Sequence, residues 1–150
     1  MSVWLVKTEP DEFSIEDLEV RGTEDWNGVR NYQARNYLRQ MSIGDLVVIY
    51  HSSCKAVGIA GVAKVVAEAH PDPSAFDPSS AYFDEKSSPD NPRWDQVTLA
   101  FHAKFKNVIP LSTLKASPDM ADSPLVKKGS RLSVMPISSK EWECINFLAR

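Results

Sequence analysis

One stretch of the sequence concentrates the residue types that bind planar, charged ligands. Residues 26–40 read Trp-Asn-Gly-Val-Arg-Asn-Tyr-Gln-Ala-Arg-Asn-Tyr-Leu-Arg-Gln, with no carboxylate among them. Aromatic rings offer stacking faces, side-chain amides read donor and acceptor edges, and guanidinium groups pair with phosphate through two parallel hydrogen bonds. The alternative for the same residues is an amphipathic helix with a solvated polar face. The stretch therefore predicts either a site for a flat, hydrogen-bonding anion or a surface helix.

Length and composition are those of one soluble globular domain, with 150 residues, 43% hydrophobic and 25% charged. We expect a single domain over residues 1–150. No run approaches the roughly 20 apolar residues of a membrane helix, and the N-terminus lacks the pattern of a signal peptide, so a cytoplasmic protein is expected. Cys54 and Cys144 form no Cys-x-x-Cys pair, so we predict free thiols, with no metal and no cofactor.

The charge is unevenly distributed along the chain. A formal net charge of -3 argues against nonspecific coating of nucleic acid, because that mode needs dense Lys and Arg. The segment from Glu9 to Asp25 holds eight acids and one base, Arg21. Three tracts carry bases but no acids, namely residues 26–43, 96–118 and 123–140. A net acidic protein can therefore still present one basic face.

The elements that position the polar stretch can be predicted from apolar spacing and capping residues. Val3 to Thr8 predicts a first strand, Ser14 with Asp17 predicts a helix start, and Asn31 is a plausible N-cap for a helix through Met41. In that helix Ala34, Leu38 and Met41 recur at helical spacing and predict a buried stripe. The functional part of the stretch is therefore its first half, Trp26 to Arg35.

The second part of the chain predicts a sheet. The runs 46–51 and 56–69 indicate an antiparallel hairpin, and Gly58 and Gly61 suggest a bulge or a close backbone approach. Residues 70–92 form a long Pro-, Asp- and Ser-rich loop, whose aromatic residues favour an ordered conformation. A strand over 96–105, a short helix near 109–114, an edge strand over 131–137 and a closing helix after Ser138 follow. These elements lack a βαβ rhythm and predict an α+β domain with a curved sheet or small barrel.

Catalytic chemistry is weakly indicated. His51, Ser52, Ser53 and Cys54 are adjacent, but neighbours on a strand point to opposite faces and no partner carboxylate is evident. Metal binding by the histidines lacks a recognisable ligand spacing. We therefore expect a non-enzyme, with a His51-dependent enzyme acting on a nucleotide or nucleic acid as one alternative and a small-molecule or protein-interaction module as another.

A binding site is better supported, because polar residues stand at several predicted strand ends. Lys7 and Thr8 close the first strand, His51 and Ser52 close another, and Arg131 opens the last. In a small barrel such ends meet at one mouth, which Trp26 and the start of the helix at Asn31 would roof. Each residue also has a structural alternative: Trp26 as core, Asn31 as a cap, Tyr32 as a staple, His51 as a satisfied strand histidine, and Arg131 as a partner of the acidic tract.

Six motifs, in order over nearly the whole chain, resemble the EVE domain family, a relative of PUA, ASCH and YTH domains. The motifs are Trp4–Pro10, Trp26–Asn36, Tyr50–Ser52, Val57–Gly61, Pro92–Trp94 and Arg131–Val134. The resemblance implies a PUA-like curved antiparallel sheet or pseudo-barrel flanked by short helices. It also implies a non-catalytic module, expected to be monomeric, that binds DNA or RNA and draws a modified base into a pocket.

Mapped onto this sequence, the resemblance implies a pocket and a set of phosphate contacts. The pocket residues would be Lys7, Thr8, Trp26, Asn31, Tyr32, Ser52 and either Tyr82 or Phe83, with His51 beside them. The phosphate contacts would be Arg30, Arg35 and Arg131. Some relatives carry a basic extension ahead of the domain, whereas this chain begins at the first strand, so nuclear targeting and added DNA affinity are not expected.

Overall fold

The computed structural model describes all residues 1–150 as one six-stranded sheet with four α-helices. The strands are β1 (Val3–Thr8), β2 (Thr23–Trp26), β3 (Leu46–His51), β4 (Gly58–Pro71), β5 (Asp95–Pro110) and β6 (Val134–Ile137). The helices are α1 (Ile15–Arg21), α2 (Tyr32–Gln40), α3 (Leu111–Ala116) and α4 (Ser139–Leu148). None of these helices has the length and apolar character needed to cross a membrane. The α+β class predicted from the sequence is confirmed.

The strand order β2-β5-β4-β3-β1-β6 corrects two details of the expected sheet. β1 pairs with β3 in parallel, so the sheet is mixed rather than wholly antiparallel. The parallel pairing follows from the connection between these strands, since α1, β2 and α2 provide the long crossover that parallel neighbours require. β2 and β6 are the two edges and do not pair with each other, so the sheet does not close into a barrel.

The strand β2 is not among the elements predicted from the sequence. Thr-Glu-Asp-Trp has no apolar alternation, and the strand exists because it pairs antiparallel with β5, with Asp25 opposite Thr98. The hydroxyl of Thr98 also donates a hydrogen bond of 2.7 Å to the Asp25 carboxylate. Pairing with a strand more than 70 residues away cannot be detected in a four-residue window.

β3 and β4 form the predicted antiparallel hairpin, and β5 extends it to Pro110, beyond the expected end. The pairing register shifts at Ile49 and again near Gly61. A Cβ on Gly61 would lie 2.5 Å from the carbonyl oxygen of Ala103. This is the close backbone approach that the glycine predicted, and such irregularities increase the bend of a sheet.

The hydrophobic core lies on both faces of the sheet because side chains alternate along each strand. In β1, Trp4 and Val6 face one cluster while Leu5 faces the other. The first cluster is covered by α1 and α2, and the predicted stripe of α2 is buried there as Ala34, Leu38 and Met41. The second cluster is covered by α3 and α4 through Leu114 and Ile145.

Three predicted caps determine where the helices begin. Ser14 with Asp17 and Ser138 with Glu141 both form capping boxes, as expected. The side-chain oxygen of Asn31 accepts a hydrogen bond of 2.9 Å from the amide of Ala34 and starts α2. The position of that N-terminus, directly after the loop that follows Trp26, brings the polar stretch to the ends of the strands.

Candidate nucleic-acid interface

A cleft of about 690 Å³ opens where the ends of β1, β2 and β3 approach the start of α2. Thr8 and His51 are register partners of the parallel pair, and the Ser52 amide donates to the Thr8 carbonyl at 2.9 Å. The segment before β6 joins from the other side of β1, because the Lys7 amide donates to the carbonyl of Ser133, also at 2.9 Å. The cleft is therefore assembled from parts of the chain that are distant in sequence.

Most of the residues predicted to bind nucleic acid lie in this cleft. The residues that line it are Lys7, Thr8, Trp26, Arg30, Asn31, Ser52, Tyr82 and Arg131. Tyr32, Arg35 and His51 lie outside it, as does Phe83. The geometry thus brings a subset of the predicted site together, while the binding role of each residue stays a prediction.

Trp26 and Tyr82 are the two aromatic residues of the predicted site that line the cleft, together with Phe13. Trp26 belongs to the core, with 8% of its surface exposed, and packs edge-on against Phe13 at a centroid separation of 5.9 Å and an interplanar angle of 82°. Tyr82 is 37% exposed and comes from the long loop after β4. Trp26 is therefore a core residue, as the structural alternative proposed, and it also lines the cleft.

Tyr82 is seated directly on Gly28. A Cβ at position 28 would lie 2.8 Å from Cζ and 2.9 Å from each Cε of the Tyr82 ring. Gly28 also has a φ of +82°, a conformation that L side chains rarely adopt. Only glycine satisfies both conditions, so this residue sets how closely the loop approaches the cleft.

Arg30 secures the same loop, with each of its five N–H donors engaged within the protein. Nε and Nη2 donate to the carbonyl of Tyr82 at 2.9 and 2.7 Å. Nη1 donates to the Val29 carbonyl at 2.9 Å and to the Asp72 carboxylate at 3.0 Å, and Nη2 also reaches the Ser74 hydroxyl at 3.2 Å. No donor of Arg30 is left over for a phosphate oxygen in this structure, so its phosphate contact stays a prediction that would require one of these hydrogen bonds to break.

Asp72 is the fully buried partner of this arginine and was not recognised in the sequence. Its carboxylate accepts from the Gly28 amide at 2.8 Å and from the amide and hydroxyl of Ser74 at 2.9 and 2.6 Å. Burial by itself raises the pKa of Asp72, but the hydrogen bonds from Ser74, Gly28 and Arg30 outweigh it and hold the pKa below 3.8. The Asp-Pro-Ser sequence signals a turn, whereas nothing local signals Arg30 as its partner.

Tyr32 and Arg35 support the loop from outside the cleft. The Tyr32 ring stacks on Trp94 at a centroid separation of 4.7 Å and an angle of 20°, and the Arg35 guanidinium lies 4.7 Å from the Tyr32 ring centre. Arg35 also donates to the Arg93 carbonyl at 2.8 Å and to the Asn36 side chain. The Tyr32 ring and the Arg35 guanidinium therefore both make contacts within the protein, and their predicted roles as base and phosphate contacts stay predictions.

His51 has the structural role that the sequence left open. It is 6% exposed, and its Nε2 accepts a hydrogen bond of 3.1 Å from the amide of Ile15 at the start of α1. Burial lowers the pKa of His51 below 6.5, partly offset by the charge of Glu16, so the ring is neutral at physiological pH. A nitrogen used in this way is not available to act as a base or to contact a ligand.

Four of the predicted site residues keep unpaired polar groups in the cleft. Ser52, Lys7 and Arg131 make no side-chain hydrogen bond or salt bridge, and the amide group of Asn31 keeps both of its N–H donors while its oxygen caps α2. Lys7 is half-buried, and burial lowers its pKa below 10.5. These groups can donate to a ring nitrogen or a carbonyl oxygen of a planar ligand, and Ser52 can also accept.

The cleft carries charges of both signs. Its acids are Glu9, Glu12, Glu24 and Asp25. Glu24 pairs with Arg21, and Asp25 accepts the hydroxyl of Thr98. A cleft with this composition suits a polar aromatic group better than a chain of phosphates.

An open mixed sheet with helices on both faces and a polar cleft at its strand ends is the PUA-like architecture that the resemblance implies. The chain belongs to the EVE domain family, whose pattern it matches over residues 2–147. The resemblance found in the sequence is thereby confirmed.

Similar proteins come from bacteria and animals. A crystal structure of a Pseudomonas syringae protein is 50% identical, covers 99% of this chain and 100% of its own, and superposes with a TM-score of 0.98. Human thymocyte nuclear protein 1 is 39% identical over 162 residues, which is 96% of this chain and 72% of that protein. Human THYN1 protein, solved in complex with DNA containing 5-methylcytosine, is 38% identical, with coverage of 100% and 98% and a TM-score of 0.95.

Proposed function

We propose that this protein is a non-catalytic reader of a modified base in DNA, and that it accommodates that base in the cleft between Trp26, Tyr82 and the strand ends. The observation that carries the proposal is the human relative in complex with 5-methylcytosine-containing DNA, which aligns with this chain over its full length. The cleft lies where the polar ends of the strands meet, and its volume of about 690 Å³ is ample for one base.

The energetics of such recognition are favourable when the base leaves the duplex. Extrusion costs a few kcal/mol, least at mismatched or single-stranded positions. Stacking on an aromatic side chain returns about 1 to 3 kcal/mol per base. Trp26 and Tyr82 are the residues that can supply this surface, and Asn31 and Ser52 can supply hydrogen bonds to the base edge.

A modification is then sensed through fit. One methyl group adds on the order of 1 kcal/mol of apolar burial, whereas a hydroxymethyl group needs a polar partner such as Ser52 to avoid an unsatisfied hydroxyl. The enzyme alternative gains no observation in its favour, since the ring nitrogen of His51 accepts the Ile15 amide. We also propose a cytoplasmic location and a monomeric state, for which the only support is the sequence.

Titration of the purified protein against matched oligonucleotides tests this function. The panel contains cytosine, 5-methylcytosine and 5-hydroxymethylcytosine at one position, in DNA and in RNA, and binding is followed by fluorescence anisotropy. We expect the protein to prefer one modified DNA over its unmodified match. Equal affinities across the panel would refute the proposal, and a preference seen only in RNA would assign the function to that nucleic acid instead.

Asn31→Ser is the informative variant for this experiment. Serine caps a helix about as well as asparagine, so α2 keeps its start, but the amide donors that face the cleft are removed. We expect the affinity for the preferred oligonucleotide to fall by about 3- to 10-fold, the value of one hydrogen bond of about 1 kcal/mol, with the helical circular dichroism unchanged. Trp26→Ala is less clean because this ring is also part of the core.

A further inference from the structure

The positive groups around the cleft differ in whether they remain free to bind an anion. Arg30 has used its donors within the protein, and Arg21 is paired with Glu24. Lys7 and Arg131 form neither a salt bridge nor a side-chain hydrogen bond. The cations that remain free in the cleft therefore come from β1 and from the segment that leads into β6.

That segment is the basic, acid-free tract 123–140, which the base-binding site does not otherwise use. Lys127, Lys128 and Arg131 are exposed there, around a turn closed by the Ser130 amide and the Lys127 carbonyl at 3.3 Å. Lys127 makes one contact, to the carbonyl of Ala121 at 2.8 Å. The turn continues directly into Arg131 and Ser133, both of which line the cleft.

The other side of the cleft has the opposite charge. Glu24 and Asp25 lie on β2, which is one edge of the sheet, while β6 is the other edge. A phosphate near β2 would meet the Asp25 carboxylate and the ion pair of Glu24 with Arg21, whereas a phosphate near residues 127–131 would meet three exposed bases in a tract without acids. The two edges of the sheet beside the cleft therefore differ in charge, while the remaining cleft acids, Glu9 and Glu12, follow β1.

We propose that the sugar–phosphate backbone of the bound nucleic acid runs along one side of the cleft only, over Lys7, Lys127, Lys128 and Arg131, which together form the basic rim. This inference rests on the proposed function. The base reaches the cleft from the rim side, and the acidic strand β2 excludes the backbone from the opposite side. The orientation of the strand is thus determined by the charge difference between the two edges of the sheet.

The rim implies a small number of phosphate contacts. Each neutralised phosphate of duplex DNA contributes about -0.9 to the slope of log K against log salt concentration, so two to four contacts predict a slope of about -2 to -4. This salt dependence is much weaker than that of a protein that coats DNA, in agreement with the net charge of -3.

The test measures affinity and salt slope for the preferred modified oligonucleotide in the full protein. The variant Lys128→Gln/Arg131→Gln removes two rim charges. The matched control, Lys106→Gln/Lys115→Gln, removes two exposed and unpaired charges from the other acid-free tract, 96–118. We expect the rim variant to bind about tenfold more weakly and its slope to become shallower by about 2, while the control changes neither by more than a fraction of these amounts.

The outcomes separate this inference from the proposed function. An unchanged salt slope in the rim variant, or equal losses of affinity in the rim and control variants, overturns the basic rim. If the preference for the modified base is preserved in that case, the proposed function still stands. Loss of the preference in the wild-type protein overturns the proposed function and the rim with it. A rim variant with a shallower slope and an intact ratio of modified to unmodified binding supports the inference.

Discussion

The two arginine-bearing segments that flank the cleft use their charges in opposite ways. Arg30, at the start of the α2 region, is 22% exposed in its side chain and is hydrogen-bonded to the loop on every donor. Arg131, on the approach to β6, is exposed and has no protein partner. The first holds the cleft in shape, and the second is available for a ligand.

The difference shows that residue type and aromatic neighbours do not by themselves mark a phosphate contact. Arg30 sits among Asn31, Tyr32 and Trp26, the richest polar and aromatic setting in the sequence, yet it serves the fold. Arg131 has no aromatic residue beside it in the sequence, where Ser130 and Leu132 flank it, and its guanidinium has no protein partner. Arg30 and Arg131 differ in whether the N–H donors of the guanidinium are already hydrogen-bonded to acceptors within the protein.

The largest effect that the comparison predicts is on stability. Arg30→Gln leaves the buried carboxylate of Asp72 without its ion-pair partner and frees the Tyr82 loop, so we expect the free energy of unfolding to fall by about 3 to 5 kcal/mol. The matched change Arg131→Gln alters an exposed, unpaired side chain and should stay within about 0.5 kcal/mol of the wild type. Urea denaturation of both variants measures the difference, and similar losses in the two would remove the distinction.

A second prediction isolates the contact between Tyr82 and Gly28. Gly28→Ala and Gly129→Ala both place a side chain at positive φ, +82° and +76°, which costs about 1 to 2 kcal/mol. Only Gly28→Ala also forces a Cβ into the Tyr82 ring, because nothing lies within 4 Å of the Cβ built at Gly129. We expect Gly28→Ala to lose a further 1 to 3 kcal/mol from overpacking and to lose discrimination between modified and unmodified bases.

Gly129→Ala should keep that discrimination, since the wall formed by Tyr82 is unchanged. Thermal or urea unfolding, together with the oligonucleotide panel, measures both properties. If the two alanine variants were equally stable and equally selective, Tyr82 would have no fixed position that matters for binding.

A third and smaller effect extends the comparison to His51, another polar group that serves the fold. Its pKa is lowered in the folded protein, chiefly by burial, so the unfolded chain binds the proton more readily. The stabilising contribution is therefore fully present above pH 6.5 and is lost as the pH falls from 6.5 through the lower folded pKa. His51→Gln keeps an acceptor for the Ile15 amide and should reduce this loss.

Urea denaturation between pH 5 and pH 8 measures the loss of stability caused by protonation of His51, as the difference between the wild type and the His51→Gln variant. The contributions of carboxylates cancel in this difference because they titrate in both proteins. A pH profile identical in the two proteins would mean that protonation of His51 has no cost in the fold. A steeper loss in the variant would contradict the hydrogen-bond role assigned to the ring.

Much of the secondary structure was predictable because its causes are local. The capping boxes at Ser14 and Ser138 and the cap at Asn31 act within three or four residues, and all of them are present. The stripe of α2 depends only on helical spacing. The strand β2 and the parallel pairing of β1 with β3 were missed, since each depends on a partner strand far along the chain.

The loop over residues 70–92 shows the same limit. Its aromatic residues predicted order through burial, but Tyr82 and Phe83 are 37% and 42% exposed. The loop is anchored instead by polar contacts of Asp72 and by Arg30 on the Tyr82 carbonyl. Buried polar anchors of this kind have no local signature beyond a turn.

The sequence by itself determined the family, the caps and core stripes of the helices, and the set of polar and aromatic residues from which a cleft could be built. Only the tertiary structure decided which of those residues remain free, with Arg30, Arg35 and His51 serving the fold and Asn31, Ser52 and Arg131 left for a ligand. The physical reason is that the donors of an arginine are occupied by whichever acceptors the fold brings to them, and the main acceptors of Arg30, Asp72 and the Tyr82 carbonyl, lie 42 and 52 positions away along the chain.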